Sequence, residues 1–321
     1  MQILLIGLGA GIVSALLFVA LASGSVLSVT LFYLAPLPIM LAGLGWSHVA
    51  ALTATLTAAA GLGIGAGIWF IFAFLAGVGV PAYVLSYLSM LARPSSGGTG
   101  GDFEWYPVGR VVLAAAILAT IAMALTIPIF GPDIDTYHAG LKEIFSRVLR
   151  LQLAIPEGQP LKLPNGGNPE RTLEVLALIM PPLAAALSMV THLANLYLAG
   201  RIARASGRLA RPWPDLSGIA FPFSTPLLLL GVLVLSFLHS IVGLTAGVFT
   251  TCLLVAYAFL GLAVLHAVTR PVALRGLILS AVWGLLILLG WPIVLLALIG
   301  LADGLLNLRG RLGPPKQPNR N

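Results

Sequence analysis

Two polar side chains in a long apolar stretch, His192 and Asn195, are the residues of this sequence best placed to bind a polar ligand. They are three positions apart and therefore share one face of a helix. An imidazole and an amide are costly in apolar surroundings unless their polar atoms form hydrogen bonds. The pair indicates either a hydrogen bond to another helix or a contact with a substrate or a proton.

A second candidate lies at residues 33–38, where Tyr33 is followed by Pro36 and Pro38 inside another apolar stretch. Each proline removes a backbone donor and disturbs a helical turn, which leaves carbonyl groups free. Broken helices of this kind line the binding sites of membrane transporters, although a structural kink is the alternative. We predict that any solute site, or polar core, is formed by this broken segment and the helix face of the first pair: Tyr33, Pro36, Pro38, His192 and Asn195.

Motifs for enzymatic chemistry are missing from the sequence. It has no Gly-Lys dipeptide for a phosphate-binding loop, no His-Glu-x-x-His, no Gly-x-Ser-x-Gly and no carboxylate pair in an apolar stretch. Asp133, Asp135 and His138 lie close together, but a solvated turn is the more ordinary interpretation of such a group than a metal site. We therefore expect no catalytic residue, cofactor or bound metal, and no ATPase activity in this chain.

The apolar stretches that carry these residues determine the fold class. Of 321 residues, 59% are hydrophobic and 8% are charged, and apolar runs continue for about 20 residues, which is the length that crosses a bilayer as a helix. The sequence predicts an all-α, polytopic transmembrane helix bundle with nine to ten membrane segments. The nine candidate stretches are 3–21, 26–44, 46–65, 67–91, 108–130, 172–198, 222–241, 244–268 and 277–306.

Basic residues in the short loops predict the orientation, with the N-terminus in the cytoplasm of a bacterial cell and the protein in its inner membrane. Nine crossings would leave the basic tail, residues 309–321, on the outside. The last stretch is interrupted by Gly290-Trp291-Pro292, so it is either a pair of short helices or one kinked helix. The pair brings the tail inside, and we favour it.

The longest loop, residues 131–171, contains an amphipathic pattern. Leu141, Phe145 and Val148 belong to an apolar stripe opposite charged residues, which predicts a helix that either lies on the membrane surface or caps the bundle. Asn168 followed by Pro169 is typical of a helix start, so the sixth membrane helix is expected to begin there.

Composition also suggests how the chain is divided into segments and which partners it contacts. We predict a four-helix array at 1–92, a flexible linker at 93–107, further membrane helices at 108–308 and the basic tail. The bilayer is the main partner, no nucleic acid is expected, and a protein partner could dock on the arginines of the loop after the sixth helix: Arg201, Arg204, Arg208 and Arg211.

Four short segments carry a resemblance to a known family. They are residues 31–39, the Ala-Gly-Leu-Gly run at 42–45, and Gly290-Trp291-Pro292 with Leu-Ala-Asp-Gly at 301–304. With them the chain resembles the YybS-like family of multi-pass membrane proteins, whose function is unknown and which implies no catalytic residue. The first four stretches are also similar, at the level of the fold, to the substrate-binding subunits of energy-coupling-factor vitamin transporters.

These patterns leave two functions open. The first is a transporter-like or small-solute-binding membrane protein, which would need a partner ATPase or an ion gradient because it has no energy source of its own. The second is a non-catalytic scaffold or assembly factor whose polar residues only hold helices together. Small residues four apart, such as Gly7 and Gly11, are expected to serve close helix packing in either case.

Overall fold

The computed structural model describes residues 1–94, 103–156, 158–163 and 166–312, so the centre of the predicted linker and residues 313–321 of the tail lie outside the described residues. The regular secondary structure of the described chain is helical apart from one small hairpin, which confirms the predicted fold class. The elements are α1 Gln2–Val19, α2 Val26–Tyr33, α3 Pro36–Gly45, α4 His48–Ala66, α5 Ile68–Phe74, α6 Val80–Ser89, β1 Ala92–Pro94, β2 Phe103–Trp105, α7 Val108–Ala124, α8 Ile127–Phe130, α9 Ile134–Gln152, α10 Pro169–Ala205, α11 Thr225–Leu235, α12 Ile241–Val268, α13 Arg275–Leu289, α14 Pro292–Leu306 and α15 Leu308–Leu312.

Seven helical segments of the described chain are long and apolar enough to cross a membrane. They match the first six predicted stretches and the eighth. Serine side chains cap several of their N-termini: Ser25, Ser47 and Ser240 each accept a hydrogen bond from a backbone N–H of the turn that follows. Asn168 caps α10 in the same way and Pro169 opens the helix, as predicted.

The predicted stretch 222–241 is wrong as a full-length helix, because α11 has only 11 residues. Prolines at 222 and 226 delay its start, since proline cannot donate the hydrogen bonds of a helix interior. At its end the hydroxyl of Ser236 donates to the carbonyl of Leu233, at 2.6 Å, and the chain turns toward Ser240. The flanks of α11 are therefore non-helical.

The last stretch forms two helices, as we favoured. Gly290 has a φ of +69°, which glycine adopts at little cost, and Pro292 begins α14. Each helix of the pair has 15 residues, or about 22 Å at 1.5 Å per residue. That is less than the roughly 30 Å thickness of a hydrocarbon core.

The two ends of the bundle are defined by their loops. We name the end that carries residues 201–211 the arginine face and the end that carries α9 the loop face. The C-terminal segment lies at the arginine face, because the Arg309 guanidinium donates to the Ser217 carbonyl at 2.7 Å. The N-terminus lies there too: Gly7 faces Thr53 and Gly11 faces Thr57, so α1 runs parallel to α4, which begins near the arginine face.

This arrangement predicts the outcome of cysteine labelling. The single native cysteine, Cys252, is buried and should not react with a membrane-impermeant maleimide. Cysteines introduced as Gln2→Cys and Arg311→Cys should react from the same side of sealed vesicles. Labelling of the two variants from opposite sides would contradict the shared face.

One continuous core joins the N-terminal and C-terminal helices. Met40 and Leu85 belong to the same buried cluster as Met189 and Leu253. The flanks of the predicted linker, β1 and β2, pair as an antiparallel hairpin in which Arg93 binds Glu104. The division into an N-terminal array and a C-terminal part stays a prediction.

The amphipathic helix α9 caps the bundle, which is one of the two predicted alternatives, while its position on a membrane surface stays a prediction. Its first half packs on the bundle, where Tyr137 and Leu141 are buried against Ala177 of α10, and burial raises the pKa of Tyr137 to about 12. Its second half leaves apolar side chains such as Val148 and Leu151 exposed. The helix therefore caps the loop face and presents an apolar edge to its surroundings.

Candidate functional site

The structure brings Asn195 of α10 to the break between α2 and α3. The break occupies Leu34 and Ala35, just before Pro36, which is buried, and Pro38, which is half-buried. The amide nitrogen of Asn195 donates to the Tyr33 carbonyl at 2.8 Å, across 162 positions of sequence. The structure therefore brings the broken segment and the Asn195 side chain together.

Tyr33 contributes to this contact through its backbone. Its ring is exposed and lies edge-on to Phe32, with centroids 5.6 Å apart. The neighbouring carbonyl of Ala35 accepts a hydrogen bond of 2.7 Å from the hydroxyl of Ser14 on α1. Side chains from two other helices thus bind the backbone of the break, and Ser14 was not among the predicted residues.

His192 lies one turn before Asn195 and is equally enclosed. Its Nδ1 is 2.8 Å from the carbonyl oxygen of Ser188, which can only accept, so Nδ1 carries the proton in the neutral ring. Its Nε2 forms no hydrogen bond within the described chain. Val78 of the fourth membrane span belongs to the same buried cluster as Met189, which lies one turn before His192 on α10.

Val78 belongs to a π-helical segment, Leu75–Gly79, that interrupts the fourth membrane span. Such single-turn π segments are frequent at functional sites. Sequence reasoning missed this irregularity. Its signal was Pro81, which cannot donate to the backbone one turn earlier, together with the glycines at 77 and 79.

The site therefore contains two buried acceptors without a partner in the described residues. The amide nitrogen of Asn195 donates to the carbonyls of Tyr33 and Thr191, both at 2.8 Å. The Oδ1 of Asn195 has no partner among the described residues. Oδ1 of Asn195 and Nε2 of His192 are therefore two unpaired acceptors one turn apart, on residues that are only 3% and 4% exposed. Buried polar atoms normally have partners, and a water molecule or a ligand that donates hydrogen bonds would satisfy these two.

The arginines proposed for docking are not equivalent. Arg211 is half-buried and donates to the carbonyls of Ser89 and Tyr106, at 2.9 and 3.0 Å, so it ties the hairpin to the arginine face. Arg201, Arg204 and Arg208 are exposed. Of the four, these three offer a guanidinium to a partner.

The acidic residues at the start of α9 stabilise that helix. Asp133 caps the helix by accepting from the backbone of Thr136, and these hydrogen bonds hold its pKa below the usual value. Asp135 lies 3.3 Å from His239, and burial lowers the pKa of His138. In the described part of the chain, no three His, Cys, Asp or Glu side chains are grouped so that they could hold a metal ion.

Comparison with known proteins places most of the chain in one family. Residues 12–304 match a family described as "Predicted membrane protein (DUF2232)". Neither the curated proteins nor the solved structures contain a significant match to this chain.

Proposed function

We propose that this chain, a member of the DUF2232 family of membrane proteins, binds a small polar solute within the bilayer as a transporter-like protein. The observation that supports this function is the pair of unpartnered acceptors, Asn195 Oδ1 and His192 Nε2, in the interior of the described helix bundle. An unpaired buried polar atom costs about 1–3 kcal/mol, and a solute that donates hydrogen bonds would remove this cost.

The helices around the acceptors are suited to such a role. The site lies between a proline-broken span and a span with a π-helical turn, and α10 itself contains Pro181 and Pro182. Irregular helices at membrane depth are typical of binding sites in transporters, where they change conformation and expose backbone groups. The ligand would be a small molecule or cation that presents at least two N–H or O–H donors.

This chain would act together with other components. We regard it as a non-enzymatic membrane subunit without an energy source, so transport would use an ion gradient or a partner ATPase that docks on Arg201 and Arg204. The concentration of arginines at the face that holds both described ends supports a cytoplasmic N-terminus and a bacterial inner membrane. The finer resemblances, to YybS-like proteins and to vitamin-binding transporter subunits, fit a solute-binding role and belong to this proposal.

A scaffold is the second candidate, and a different observation favours it. Ser14 and Asn195 bind the carbonyls of the break, which is what a purely structural polar core would do. Under this function the unpaired acceptors would be occupied by water, and no solute would bind specifically.

Thermal unfolding of the purified full-length chain against a panel of amines, ammonium salts, vitamins and nucleobases separates the two candidates. A ligand that binds only the folded protein at 100 times its Kd stabilises it by about 2.7 kcal/mol. We expect one class of donor-bearing compounds to stabilise the wild type, and His192→Ala to remove that shift, because the substitution deletes one acceptor.

Ser14→Ala is the matched control. It removes a hydrogen bond to the same break, at a cost of about 1 kcal/mol, but none of the unpaired acceptors. It should lower the melting temperature and keep the ligand shift. Equal losses of ligand response in both variants, or no response to any compound in the wild type, would favour the scaffold.

A further inference from the structure

The arginine face has more positive charge than its own carboxylates can neutralise. Each described carboxylate at this face already binds an arginine, in the pairs Arg93–Glu104, Arg270–Asp215 and Arg309–Asp303. Arg201, Arg204 and Arg208 lie at the same face and form no ion pair within the described residues. These three guanidinium groups are therefore available to an anionic partner from outside the described chain.

Aromatic rings hold these three guanidinium groups. Arg201 and Arg204 lie over Trp213, at 6.0 and 5.5 Å from the ring centre. Arg208 lies over Trp46 at 4.6 Å, the shortest of these distances. A cation over an aromatic face keeps its N–H donors free at the ring edge, so the guanidinium is oriented before a ligand arrives.

Arg208 is distinguished from the other two because it lines a cleft. The cleft has a volume of about 400 Å³ and lies between the start of α4 and the end of α6. Its lining includes His48 and Tyr87, whose rings meet edge to face at 5.7 Å, and Trp46. Among the described residues, no carboxylate lines it.

We propose that this cleft binds a phosphate group, with Arg208 as the principal ligand and His48 and Tyr87 as further hydrogen-bond donors. A guanidinium presents paired N–H groups that match phosphate oxygens, and it binds them more strongly than neutral donors do. Trp46 is the kind of side chain that lies at the depth of lipid headgroups. Basic clefts between membrane helices are suited to the phosphates of anionic lipids, and the bilayer itself supplies phosphodiesters at this depth.

Native mass spectrometry of the full-length protein tests the site, with added phosphatidylglycerol as the probe and phosphatidylcholine as the zwitterionic comparison. We expect the wild type to retain one phosphatidylglycerol per chain and Arg208→Gln to bind it about tenfold more weakly, as loss of a charge-assisted contact predicts. Arg204→Gln is the control, because it removes the same charge from the same face outside the cleft and should leave the affinity within about twofold. Equal weakening in both variants would overturn the proposal, since it would mean that only net charge matters.

Competition with inorganic phosphate shows whether the cleft binds the phosphate of a lipid headgroup or also binds the free anion. Displacement of the bound lipid by millimolar phosphate, with a phosphate response that Arg208→Gln abolishes, would show that the free anion is also a ligand of the cleft. Lipid binding that phosphate does not displace assigns the cleft to a headgroup. Retention of phosphatidylcholine as tight as that of phosphatidylglycerol, or no dependence on Arg208 for either anion, would contradict the site. His192→Ala should change none of these results, so failure at the cleft is separate from failure of the solute-binding function.

Discussion

Gly300→Leu should strongly destabilise the protein, because two helices meet at Gly300 without room for a side chain. A side chain at Gly300 would collide with the carbonyl of Tyr257, and one at Gly261 would collide with the carbonyl of Leu296. The backbones of α12 and α14 are therefore in direct contact, and the obstacles are backbone atoms that cannot rotate away. We expect a loss of about 3 kcal/mol in the free energy of unfolding, at the upper end of overpacking effects.

Gly284→Leu provides the matched control for this prediction. Gly284 lies on α13 with no described atom near the position of an added Cβ, so the same substitution should change stability by no more than about 0.5 kcal/mol. Equilibrium unfolding in mixed detergent micelles, followed by circular dichroism, gives both values. Equal stability of the two variants would mean that α14 does not pack on α12 as described.

This contact also shows how much a sequence pattern can predict. Small residues spaced four apart indicated close packing, and Gly7 and Gly11 of α1 do pack against the backbone of α4. Gly61 and Gly65 have the same spacing and no described neighbour within reach. The spacing indicates that one face of a helix carries only small residues. Whether another helix packs on that face depends on the arrangement of the other helices.

The candidate site was predictable in part for a similar reason. A polar residue or a proline in an apolar run has a local cost that can be read from the sequence, which is why Asn195, His192 and Pro36 were identified. The hydrogen bond from Asn195 to Tyr33 depends on how distant spans pack, and no local pattern encodes it. Ser14 was missed because a serine hydroxyl in a membrane helix can bind its own backbone and gives no signal of a distant partner.

The arginines of the arginine face differ in what they contact, and their role in docking a partner stays a prediction. Their closeness in sequence suggested that the arginines after α10 form one docking surface, yet Arg211 holds the hairpin, while Arg208 rests on Trp46. Arginine serves both purposes because its long side chain combines fixed donors with a flat face that stacks on rings. Its role depends on which carbonyl or ring lies within reach.

Breaking the Asp303–Arg309 pair at the end of α14 should cause the second large loss of stability. The Asp303 side chain is 4% exposed and that of Arg309 is 19% exposed, and they meet at 2.8 Å. Asp303 also accepts from the backbone N–H of Arg309 at 2.9 Å, so it caps the turn that follows α14. Asp303→Asn removes the charge but keeps the shape, and leaves the guanidinium without a counterion. We expect it to cost about 3–5 kcal/mol, as in other buried pairs that lose one partner.

Two comparisons decide whether burial causes this effect. Glu104→Gln breaks the exposed pair with Arg93, whose side chains are 55% and 76% exposed, and should cost no more than about 1 kcal/mol. Replacing both partners, as Asp303→Leu with Arg309→Met, should cost less than Asp303→Asn alone, because no buried charge is left without a partner. A double variant that is less stable than the single one would show that the pair contributes net stability.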